Sequence, residues 1–99
     1  MKIEISEKGI NYFINEIGTE EGSKVRFYTQ IYGTSPIQPG YALAFTLDDD
    51  LSNAAVHTVE KGITFFIGEA DLWFFNGHDL FIDYNETNDE LEYNYVKPQ

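Results

Sequence analysis

Hydrophobic and polar residues alternate along most of this chain, and one early stretch breaks that rhythm. Residues 2–5, KIEI, alternate in the manner of a strand. From Ser6 the pattern changes: Ile10, Phe13, Ile14 and Ile17 fall at i, i+3, i+4 and i+7, the spacing that lines one face of a helix. Ser6 is placed to cap the start, Gly18 to end it, and Glu7 in the first turn suits the helix dipole. Gly9 inside it costs about 1 kcal/mol relative to alanine. The pattern predicts one amphipathic helix of roughly three turns.

Period two returns after the turn residues TEEGS. KVRFYTQIY (24–32) sets Val25, Phe27, Thr29 and Ile31 on one face and Arg26, Tyr28, Gln30 and Tyr32 on the other. YALAFTL (41–47) puts Tyr41, Leu43, Phe45 and Leu47 on a single face, so these two strands are expected to pair as a long-looped hairpin closed by Asp48, Asp49 and Asp50. AVHTV (55–59) and ITFFIG (63–68), joined through Glu60-Lys61-Gly62, predict a second hairpin. ADLWFF (70–75) fits either a strand or a short helix; the helix is preferred, with Asp71 as its cap and Leu72 and Phe75 facing the core. NGHD (76–79) reads as a turn, LFIDY (80–84) as a strand, residues 85–90 as a polar turn and LEYNY (91–95) as the last strand. The expected fold is α+β: residues 1–99 as a single domain of mostly short antiparallel strands, with one N-terminal amphipathic helix and a short second helix. Lys97, Pro98 and Gln99 are expected to fray.

Composition narrows the chemistry. With 42% hydrophobic and 16% aromatic residues in a 99-residue chain, the material for one core is present and disorder is not expected. The chain has no cysteine, which excludes disulfides, thiolate metal sites, cysteine nucleophiles and cysteine-ligated iron–sulfur clusters. No apolar run approaches the roughly 20 residues that span a bilayer, and MKIEISEKG carries charges where a signal peptide has its hydrophobic region. A cytoplasmic protein with no membrane contact is expected. The net charge is −11, spread unevenly: residues 1–33 hold four basic and five acidic side chains, residues 48–99 two and twelve. Such a field repels nucleic acid and favours a basic protein partner or a cation, unless it serves only as a solubilising surface.

The order of segments carries a resemblance. The leading I-x-I-S strand and helix, VRFY (25–28) running into a glycine-containing loop and YALAF (41–45), then EKGITFFIG (60–68), a short helix and LFIDYNE (80–86), resemble the HesB-like family of A-type iron–sulfur cluster carriers. The similarity covers essentially the whole chain, and GITFFIGEADLWFFNGHDLFIDYN is its most specific part. It implies the HesB-like fold. In those carriers the loop resembles GCSG and a CGCG tail supplies further cluster ligands. Here the loop reads Gly33-Thr34-Ser35-Pro36 and continues to Gly40, and the sequence ends at Gln99 without such a tail. Hydroxyls do not replace thiolates on cluster iron. The resemblance therefore implies a cysteine-free branch: a non-enzymatic accessory of iron–sulfur or iron metabolism that contacts an iron–sulfur assembly protein or another basic partner. A carboxylate and histidine metal-binding protein, and an acidic interaction module unrelated to iron–sulfur assembly, stand as alternatives.

Candidate site residues follow from both readings. Gly33, Thr34, Ser35 and Gly40 mark a repurposed ligand loop, or else a long hairpin connection kept soluble by polar residues. His78 with Asp79 or Asp83 offers imidazole and carboxylate donors for iron or zinc, or else a turn histidine with a local hydrogen bond. The Asp48–Asp50 triplet lacks the alternating spacing of a calcium loop. DLWFF and the acid-rich aromatic run YNETNDELEYNY read as core elements with a solvated face, or as a surface for a basic partner. No Ser/His/Asp order, phosphate-cradling glycine pattern or nucleotide fingerprint is present, so no catalytic residue and no cofactor is expected. The oligomeric state is left open.

Overall fold

A computed structural model describes residues 1–98; Gln99, the last residue of the expected frayed end, lies outside the described residues. β1 (Ile3–Ile5) leads into α1 (Glu7–Tyr12), and the helix continues through Phe13–Ile17 as a wider π-helical turn before stopping at Gly18, whose φ is +85°. The expected single regular helix thus changes its winding at Phe13. Ser6 fixes its start from two sides. Its hydroxyl oxygen accepts from the Gly9 N–H at 3.0 Å and its O–H donates to Asp83 Oδ1 at 2.7 Å. The glycine inside the helix has a packing cause: a Cβ on Gly9 would lie 2.9 Å from Ile5 Cγ1 and 3.4 Å from the Ile82 carbonyl. Only a residue without a side chain lets the helix lie this close to the strands beneath it.

The remaining elements are β2 (Lys24–Gln30), β3 (Ala42–Leu47), β4 (Ala54–Glu60), β5 (Ile63–Gly68), α2 (Leu72–Phe75), β6 (Asp79–Asn85) and β7 (Glu90–Val96). A 3₁₀ turn, Glu69–Asp71, leads into α2. The fold is mixed α+β, with seven strands in two sheets ordered β1-β6-β7 and β3-β2-β5-β4. Three pairs are antiparallel hairpins, β2–β3, β4–β5 and β6–β7, whereas β1–β6 and β2–β5 are parallel. The two parallel pairings stitch the hairpins into sheets, and nothing in a local hairpin pattern predicts them.

Both sheets contribute to one core. Phe13 from the helix, Val25, Phe27, Ile63, Phe65 and Ile67 from the larger sheet, Leu80 and Ile82 from the smaller, and Phe74 and Phe75 from α2 are all buried. Phe13 is its hub, with ring centroids 5.0 Å from Phe45, 5.2 Å from Phe65 and 6.2 Å from Phe27 in edge-on contacts. β3 and β4 lie on opposite edges of the larger sheet, so the Asp48–Asn53 connection has to cross it. It does so over Arg26 and Phe66. That path explains why Phe66 is 1% exposed although its neighbours Phe65 and Ile67 take the inward positions.

Candidate functional site

Residues 27–47 contain no charged side chain, in a chain where 23% of residues are charged. This segment is the second half of β2, the connecting loop and β3. The loop is built by local hydrogen bonds. The Ser35 hydroxyl accepts from the Gln38 N–H at 3.0 Å and donates to the Gln38 carbonyl at 3.3 Å, and that carbonyl accepts from the Tyr41 N–H at 3.1 Å. Gly33 is required at the entry: its φ is +110°, and a Cβ there would come 3.0 Å from the Ala42 Cβ. Ile37 packs against the core. The loop is therefore an anchored platform, with an apolar contact that the sequence pattern does not reveal.

α2 packs beside this platform. Its four residues, LWFF, divide by direction: Phe74 and Phe75 are buried against Tyr95, while Leu72 and Trp73 face solvent. The helix ends at once because Asn76 adopts the left-handed conformation, with φ +47°. Three contacts tie it to the neighbouring strands and loop. Asp71 Oδ1 accepts from the Thr29 N–H at 3.1 Å, Gln38 Nε2 donates to the Trp73 carbonyl at 3.5 Å, and the Trp73 ring meets Tyr41 edge-on at 5.1 Å. One residue beyond the last β2–β3 pair, Gln30–Ala42, Ile31 comes beside Tyr41. Ile31 is 69% exposed, Tyr32 79% and Trp73 51%. Ile31 and Trp73 thus meet at the half-buried Tyr41, with Tyr32 and Leu72 exposed next to them in sequence. Grouped exposed apolar side chains of this kind mark contact surfaces, and tryptophan and tyrosine carry much of the energy where such surfaces bind protein.

The electrostatic setting isolates this end. Arg26 Nε lies 3.1 Å from Asp48 Oδ2, its guanidinium reaches to 4.0 Å of Asp71, and it sits 5.4 Å from the Tyr28 ring centroid. Lys2, Lys8, Lys24 and Lys61 also sit within 4.0 Å of carboxylates. The net field of the surface is therefore carboxylate, and the charge-free end interrupts it. Beneath α2, burial pushes the Tyr95 phenol up to about 12 and raises that of Tyr93 as well, so both stay neutral at physiological pH.

The residues singled out from sequence do not assemble into one site. Gly33, Thr34, Ser35 and Gly40 lie in the loop, with the Ser35 hydroxyl held by Gln38. His78 Nδ1 is 2.9 Å from the Phe75 carbonyl; Asp79 Oδ1 accepts from the Lys2 N–H, and Asp83 accepts from Ser6 and from the Tyr84 N–H. The Ser6 hydroxyl first, then the Tyr84 N–H, and the nearby Lys8 charge, hold the Asp83 carboxyl below the usual carboxylate range. Among the described residues no group of three or more His, Asp or Glu side chains is placed to hold a metal ion. Two expectations at α2 are corrected. Asp71 hydrogen-bonds to β2 instead of capping the helix, and Leu72 faces solvent because Phe74 and Phe75 occupy the inward positions. The alternative reading of DLWFF as a contact surface covered Trp73, whereas exposed Tyr32 was not singled out; the signal available for it was the absence of charge across residues 27–47, which extends well beyond the loop itself.

No protein-family model matches the chain. It is 39% identical over 95 residues, spanning 96% of this chain and 99% of the relative, to a Bacillus subtilis strain 168 protein named pyruvate dehydrogenase inhibitor. Uncharacterised proteins of Staphylococcus saprophyticus, 34% identical over 94% of this chain and 97% of theirs, and Staphylococcus epidermidis, 30% identical over the same shares, are also similar. The expected role as an iron–sulfur or iron accessory, with an iron–sulfur assembly partner, is thereby overturned: a relative this similar over its whole length is named for inhibiting an enzyme. The metal-binding alternative gains no support either. Among the described residues no helix is long and apolar enough to cross a membrane.

Proposed function

Because the chain belongs to the family of the Bacillus subtilis pyruvate dehydrogenase inhibitor, we propose that it is a non-enzymatic inhibitor of pyruvate dehydrogenase that acts by protein contact. The observation that carries this reading is the near full-length identity to that relative. The shape of the molecule supports it. An inhibitor that acts by docking needs a rigid anchor and no reacting group of its own. Trp73 is an anchor of the favoured type, set on a short helix whose other half is locked in the core. The surrounding carboxylates speed encounter with a basic region of the target, and the charge-free end then supplies contact without burying unpaired charge.

The experiment adds the purified protein to purified pyruvate dehydrogenase of the same organism and follows turnover. A saturable fall in rate, together with a one-to-one complex by calorimetry, is expected. Unchanged turnover at the highest soluble concentration overturns the proposal. A kinship of scaffold with the HesB-like carriers is proposed separately from any shared activity. It is supported by the placement of the GITFFIG-to-IDYN motif on β5, α2 and β6, and superposition on a solved carrier tests it.

A further inference from the structure

We propose that this chain forms a two-fold dimer in which β3 pairs antiparallel with β3 of a second copy, joining the two larger sheets into one of eight strands. Unpaired strand edges invite pairing with another chain, and folded proteins ordinarily blunt them with brevity, charge, proline or a bulge. Three of the four sheet edges here carry such a device. β1 is three residues long with Glu4 at its centre, β7 carries Glu90 and Glu92, and β4 contains a register irregularity between Ala54 and Val56 and ends on Glu60. β3 carries none. Its sequence is ALAFTL, its pairing with β2 runs without a break from Leu47 to Ala42, and it has neither charge nor proline.

Charge confines any pairing of two copies to that edge. Each copy carries −11, so two copies repel wherever their carboxylates meet. The run of residues 27–47 is the longest uncharged stretch of the chain, and it contains the whole of β3. A pairing centred on Ala44 sets Ala44 opposite Ala44 of the second copy, Leu43 opposite its Phe45, and Leu47 opposite its Tyr41. Side chains directly opposite in an antiparallel pair share a face, so the small residues Ala42, Ala44 and Thr46 meet on the outer face and the apolar residues on the inner one. Leu47, 56% exposed in the monomer, gains an aromatic neighbour. The symmetry closes the assembly at two copies, since each has a single β3 edge to contribute. This inference does not rest on the inhibitor reading.

Sedimentation velocity on the full chain tests it, at about 0.15 M salt and again at about 1 M to screen the net charge. The expected mass is about twice 11.4 kDa, with the dimer tighter at high salt. Ala44→Glu, which sets two like-charged side chains on Cβ atoms roughly 5 Å apart across the axis, is expected to raise the dissociation constant at least about tenfold, the equivalent of about 1.4 kcal/mol, with an unchanged circular dichroism spectrum. Mixing Ala44→Glu with Ala44→Lys is expected to restore the dimer, because only this register brings position 44 against itself. Should Ala44→Glu fail to fold, the double change Ala42→Glu with Thr46→Glu, whose side chains face one another across the axis in this register, is expected to have the same effect. A monomer at both salt concentrations, or a glutamate variant that dimerises as tightly as the parent, overturns the proposal.

Discussion

The two halves of α2 permit a test that separates folding from binding within four residues. Phe74 is 0% exposed, and a buried Phe→Ala change costs about 3–5 kcal/mol from lost transfer energy and the cavity left behind. Trp73 is 51% exposed, so about half of its roughly 250 Å² stays in water in the folded state. Even at about 25 cal/mol per Å², the buried half contributes at most about 3 kcal/mol, and a compact unfolded chain with a retained Cβ reduces this to about 1–2 kcal/mol. At about 4–8 °C per kcal/mol for a domain of this size, Phe74→Ala should lower Tm by about 12–40 °C and Trp73→Ala by about 4–16 °C. The order reverses for binding. A central tryptophan anchor is worth at least about 2 kcal/mol, so Trp73→Ala should weaken the proposed complex with pyruvate dehydrogenase about thirtyfold or more. Phe74→Ala, assayed well below its melting point, should bind nearly as the parent does. Differential scanning calorimetry supplies the first comparison and titration calorimetry the second. A Trp73→Ala protein that inhibits with undiminished potency would refute the assignment of this end as the contact surface.

Three further outcomes are expected. Phe13→Ala empties the hub of the core and should lose about 3–5 kcal/mol in urea unfolding; a change below about 1 kcal/mol would mean that the helix is not held by this ring. The Asp83 carboxyl is held below its ordinary range, so its contribution to stability is complete above about pH 4 and is lost as pH falls through the depressed value. Asp83→Asn should therefore flatten the acid limb of a Tm-versus-pH curve, and an identical acid limb in both proteins would count against the Ser6–Asp83 contact. Burial raises Tyr95 to about 12 from 10.0, so its contribution is complete below about pH 10 and fades toward pH 12. Tyr95→Phe should melt with a shallower alkaline decline; a tyrosinate absorbance difference between parent and Tyr95→Phe that is half-developed by about pH 10, the ordinary value, would contradict the burial.

Elements that depend on near neighbours were legible from residue order alone. The period-two runs became β2 to β7 with boundaries shifted by a residue or two, and the i, i+3, i+4, i+7 set became the inward face of the first helix, with Ile10 and Phe13 buried and Ile14 and Ile17 half-buried. The reason is physical: a strand or helix face is fixed by its own backbone period, and Ser6 and Gly18 terminate the helix by local hydrogen bonding and local dihedrals. The uncharged loop was likewise visible, though not that Ile37 and Gln38 fasten it to the core and to α2.

Whatever joins distant segments was settled by the tertiary structure. β1 pairs with β6 across 77 residues, and β2 with β5 across 40; no local pattern encodes a partner so far along the chain. The direction of LWFF belongs to the same class. Four consecutive apolar residues leave either half free to turn inward, and packing against Tyr95 chose Phe74 and Phe75. Trp73 was thereby left in solvent, and Asp71 was drawn to the β2 backbone instead of to the helix start. Residue order thus determined the elements and the uncharged stretch, while the packing of two sheets around one core decided which aromatic side chains remained outside.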